Sequence, residues 1–201
     1  MVIQKHRYFS HINWMFLCFI GLIITYFQWR KDQKYKQKEL LLKRIIAFSE
    51  TPGALNAELM LASADRDVPL WAKEKIEERY IRIKRQEVAV ALIPETYLPF
   101  QYSSKESAIK DSFDDFLIKL SHIEMYMSAS LLSSKDVKVI MNNVITTLNN
   151  LKNGSEVDQS LLKHLYLYII WKKHAGVIKL FKRFNIKIDE EIKEYEEVLI
   201  E

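Results

Sequence analysis

Five histidines, one cysteine and a short run of aspartates are the residues of this chain best equipped for chemistry. Asp111, Asp114 and Asp115 set three carboxylates within little more than one helical turn. Such a group can hold a divalent cation when other oxygen ligands face it. No second acidic cluster is fixed opposite, and the three open an amphipathic stretch where carboxylates complement the helix dipole. His164 and His174 are ten residues apart, nearly three turns, so a helix could place them on one face for metal or acid–base work. His122 and Glu124 are two apart and diverge on a helix. An enzyme would have to be assembled from dispersed groups such as His122, Asp114 and His174.

The familiar site patterns are missing. Gly21, Gly53, Gly154 and Gly176 are scattered, which excludes a P-loop or dinucleotide fingerprint. Cys18 is the only cysteine, so an intrachain disulfide and a thiolate zinc site are both excluded. No serine sits in a nucleophile-elbow context. The expectation is no catalytic residue, no metal, no cofactor and no evident small-molecule substrate.

The elements that would position any site are helical. With 201 residues, 49% of them apolar, the chain can bury a sizeable core. The expected fold is all-α, a bundle of about six or seven helices spanning residues 51–201. Residues 54–64 suit a small packed helix. Pro69 fits the first turn of a second, running from about Leu70 to Leu92. There Glu74, Glu77, Glu78 and Glu87 interleave with basic residues at ion-pair spacing, so a solvated face outweighs a nucleic-acid surface. Ile93 to Phe100, with Pro94 and Pro99, reads as an extended connector.

From Ser104, a stripe of Ile109, Phe113, Phe116, Leu117, Leu120, Glu124 and Met127 predicts a helix, with Lys110, Asp111, Asp114 and Lys119 on other faces. Ser133 and Asp136 make a capping-box start for the next helix, which buries Val137, Ile140, Met141, Val144, Leu148 and Leu151. Asn153-Gly154 closes it, with glycine suited to the left-handed position. Leu161–Trp171 is apolar almost all round and reads as the central helix. Gly176 permits a kink or close packing, and Asp189–Glu201 reads as the last helix.

Ahead of this bundle lies the strongest signal. Tyr8 to Trp29 contains no formal charge and is flanked by basic residues. A membrane-spanning helix needs roughly 20 mostly apolar residues. Trp14, Phe16, Leu17, Ile20, Leu22, Ile23, Ile24 and Trp29 would form the anchor, with aromatics near its ends at headgroup level. Residues 1–7 form a short tail. No small-residue cleavage site closes the run, which argues against a signal peptide.

Residues 30–50 form a basic juxtamembrane helix in which Arg30, Lys31, Lys34, Lys36 and Lys38 can meet lipid headgroups. The basic surplus concentrated there accounts for the net charge of +4 and favours a membrane surface over nucleic acid. It also places the C-terminal bundle on the cytoplasmic side of an inner membrane.

Ala108 to Leu117, Ile123-Glu124 and Leu132 to Val137 resemble a pattern in uncharacterised bacterial membrane-anchored α-helical proteins. Tyr168-Ile169, Gly176-Val177 and Leu180 to Phe184 continue it, over about residues 106–185. The resemblance implies a helical fold and a bacterial source, and it carries over no active-site residue. The functional expectation is a non-enzymatic scaffold holding a protein partner or homo-oligomer at the cytoplasmic membrane face. The alternative is a membrane-associated defence or stress effector acting by assembly or membrane disruption.

Overall fold

No proline precedes Pro52, and nothing in the first fifty residues breaks a helix. The computed structural model describes residues 3–49, 51–63, 65–70, 80–95 and 101–188, with the side chains of the first helix described at 14 and 16–43. Two compact units divide the chain, Met1–Lys43 and Arg44–Glu201. Helix α1 spans Ile3–Ser49, so the apolar run and the basic segment lie in one uninterrupted helix. Within the first unit Thr25 Oγ1 donates to the Gly21 carbonyl at 2.8 Å, satisfying its hydroxyl inside its own helix. Glu39 and Lys43 form an ion pair one turn apart at 2.8 Å. Among the described residues no helix is long and apolar enough to cross a membrane; the side chains so described begin at Trp14, inside the apolar run.

The second unit contains α2 (Pro52–Ala62), β1 (Asp65–Pro69), β2 (Tyr80–Lys84), α3 (Arg85–Ala91), α4 (Ser104–Ser128), α5 (Ser134–Lys152), α6 (Glu156–Trp171) and α7 (Ala175–Arg183). The fold is therefore mostly helical but not all-α. The expected continuous helix over Leu70–Leu92 is corrected here: among the described residues of that range Tyr80–Lys84 is a strand and Arg85–Ala91 is helical, and residues 71–79 lie outside the described residues. Tyr80-Ile81-Arg82-Ile83-Lys84 alternates apolar with basic, which is a strand period. Its antiparallel register sets Asp67 against Arg82 and Asp65 against Lys84, so opposite charges face across the ladder. Val68 and Ile83 supply the buried side.

Reciprocal hydrogen bonds open the three long helices. Ser103 with Glu106, Ser133 with Asp136 and Ser155 with Asp158 each form a capping box. Arg85 closes α2 by donating from Nη1 to the Met60 and Leu61 carbonyls, both at 2.9 Å, while pairing with Asp158 at 2.9 Å. Three helices end on left-handed residues other than glycine: Ser130 and Lys173 at φ 57° and Asn185 at φ 59°. Gly154 does not adopt that conformation, because α5 closes through Asn153 and Gly154 amides bonded back to Asn149 and Leu151.

Helix α4 packs on α2, α3 and α7, while α6 packs on α3, α5 and α7, so the core is shared between them rather than centred on α6. Gly176 supports close packing: a Cβ there would lie 3.1 Å from the Ser121 Cα. The expected stripe of α4 is buried, but so are Lys110 and Lys119, which the sequence reading assigned to other faces. Ile140 and Val144 of α5 are only half-buried. The helix expected over Asp189–Glu201 lies outside the described residues.

Candidate functional site

Two of the three dispersed residues considered for chemistry meet. Asp114, on the first half of α4, accepts from Tyr168 Oη at 2.7 Å and from Lys172 Nζ at 3.2 Å. His174 Nε2 lies 4.0 Å from the same carboxylate, too far for a hydrogen bond. His122 is exposed on α4. Lys110 sits beside it, 3.8 Å over the Tyr102 ring and 2.8 Å from Glu95 Oε1. Its amine hydrogen-bonds and attracts the Glu95 carboxylate, holding that group below its ordinary range.

The chemistry available here is slight. Burial, reinforced by Asp114, pushes the Tyr168 hydroxyl far above its ordinary value, so it keeps its proton and serves as a donor. The arrangement ties the end of α6 to α4 through a satisfied carboxylate. It offers no nucleophile–base pair.

The histidines do not share a site. His164 Nδ1 lies 2.8 Å from the Ala89 carbonyl, which joins α6 to α3, whereas His174 faces Asp114. Both titrate below their ordinary 6.5, with burial the largest cause in each case. Unfolded, the same imidazoles take up protons near 6.5, so just below that pH the unfolded chain binds more protons than the folded one. Stability from this source is therefore complete above that value and declines as pH falls through it. Melting temperatures recorded from about pH 7.5 to 5 should fall, and His164→Gln should flatten part of the slope.

Asp111 and Asp115 line an open polar hollow of about 540 Å³ with Gly53, Asn56, Ser107 and Ser112. Burial first, then Asp111 and Asp114, raises the Asp115 carboxyl. Among the described residues no three metal-ligating groups come together. Glu124 is engaged elsewhere, with Arg183 and Ser128.

A second place was not foreseen from the sequence. A cleft of about 380 Å³ enters the core where five helices converge. Its walls are Leu55, Leu59 and Ala62 of α2, Phe116 and Leu117 of α4, Ile140, Val144 and Leu148 of α5, Leu165 and Ile169 of α6, and Phe181 of α7. Four polar residues join them: Glu58, Lys119, Asn143 and Thr147. The Lys119 side chain is 2% exposed and pairs with Glu58, whose side chain is 41% exposed. Small-molecule sites are typically apolar hollows of roughly 300–1,000 Å³ with a few placed polar groups, and the cleft falls in that class.

The residues expected to meet lipid all lie on α1. Trp14, Phe16, Leu17, Ile20, Leu22, Ile23, Ile24 and Trp29 are exposed, from 38% at Ile20 to 69% at Leu22. Arg30, Lys31, Lys34 and Lys36 are exposed and Lys38 is half-buried. No family model, curated protein or solved structure matches this chain.

Proposed function

We propose that this protein is a single-pass membrane-anchored helical module that holds a protein partner, or further copies of itself, at the cytoplasmic membrane face. The observation that carries the reading is the exposed apolar surface of α1 from Trp14 to Trp29. Contiguous apolar patches beyond a few hundred Å² mark interaction or membrane surfaces. The uncharged run of 22 residues from Tyr8 has a helical length of about 33 Å, close to the thickness of a bilayer core. The basic stretch that follows supports the cytoplasmic orientation.

Cys18, the lone thiol, lies exposed on α1 and is a native reporter. In intact membranes it should resist a charged maleimide and react once detergent and denaturant are added. The chain should also stay in the pellet after alkaline carbonate extraction, and mild detergent should release it with a stoichiometric partner or as an oligomer. Release by carbonate with free labelling of Cys18 would overturn the anchor; a monomer without a partner would overturn the scaffold.

A further inference from the structure

We propose that the cleft between α2 and α5 binds a medium-chain monocarboxylate, its alkyl chain within the apolar walls and its carboxylate on Lys119. A cation is retained among apolar side chains only when it is paired. Lys119 is 2% exposed and pairs with Glu58 of the neighbouring helix α2. The two members of the pair differ in what they can do. Lys119 has nowhere to go, whereas Glu58, already 41% exposed, can turn into water. A ligand carboxylate can therefore take the place of Glu58 at Nζ while the amine stays fixed. An ammonium of three donors has room for more than one acceptor during the exchange.

Shape and charge narrow the ligand. Leu55, Leu59, Ile140 and Val144 offer an accessible apolar lining without a further buried charge. About 380 Å³ suits one chain rather than a two-chain lipid. A cationic head would be repelled by Lys119. A neutral alcohol would bury its chain and leave the ion pair intact, with no dependence on Lys119. Membrane insertion is a separate matter, since the cleft is built wholly within the second unit.

The test is titration of the full chain in neutral phosphatidylcholine nanodiscs, or in buffer if carbonate releases it, with decanoate labelled with carbon-13 at the carboxyl. Saturable binding at one site should appear as a resonance distinct from lipid-dissolved decanoate. Lys119→Met should weaken it by about tenfold or more, the scale of a charge-assisted hydrogen bond. Glu58→Gln should tighten it by removing the competing carboxylate, and Val144→Trp should abolish it by filling the space.

Melting curves identify variants that fail to fold. If Lys119→Met is one of them, the Glu58 and Val144 variants decide. Any of four results would overturn the proposal: decanol binding as tightly as decanoate, Glu58→Gln weakening the complex, no saturable site, or displacement of decanoate by phosphatidylglycerol added to the disc.

Discussion

Arg183→Met should lower the unfolding free energy by about 2–3 kcal/mol, below the 3–5 usual for breaking a buried ion pair because Arg183 itself is reached by solvent. The asymmetry of the pair sets the size of the effect. Glu124 is 4% exposed at its side chain, and Arg183 is 45% exposed. The guanidinium grips the carboxylate through Nε at 2.7 Å and Nη2 at 3.1 Å, and Ser128 Oγ adds a bond at 2.7 Å. Removing the arginine leaves a buried carboxylate with one neutral donor. Glu124→Gln removes the charge but keeps an acceptor, and should cost less, about 1 kcal/mol. Equilibrium urea unfolding of the full chain in mild detergent measures both, with the midpoint shifting at constant slope. Equal costs for the two variants would show that the carboxylate is not what the arginine supports.

Phe113→Ala should cost about 3–4 kcal/mol, within the range for deleting a fully buried aromatic ring. Phe113 has no exposed surface and lies on the face of α4 that carries Ile109, Leu117 and Leu120 into the core. It does not border the cleft, and its side chain is wholly buried. Phe116 is a useful contrast, because it is almost as buried but lines the cleft wall. Phe116→Ala should cost less, since water or a relaxed Ile140 or Val144 can enter space that is already open. The same unfolding measurement ranks the two, and Phe116→Ala proving the costlier would reverse this reasoning.

Local features of the fold were legible in the sequence. The start near Ser104, the Ser133–Asp136 box and the stripe from Ile109 to Met127 depend on residues within a few turns of each other. What escaped depended on distant partners. Tyr80–Lys84 reads as part of a charged helix until Asp65 and Asp67 are known to lie across from it. Lys119 falls off the apolar stripe of α4 by its spacing, yet it is buried. Its burial rests on Glu58, 61 positions earlier in the chain. The cleft needs five helices together, and Ile140 and Val144, which read as core, are left half-buried at it. Asp114 and His174 were named together as dispersed groups; their meeting depends on how α7, which His174 opens, packs on α4.

The left-handed residues that end α4 and α6 bear on how this protein can vary over generations. At Ser130 and Lys173 an L side chain occupies a conformation that costs roughly 1–2 kcal/mol relative to the right-handed one. Glycine would hold the same turns without that cost. A lineage that acquired glycine at both positions would carry a reserve of stability, which it could spend on substitutions that remodel the cleft around Lys119.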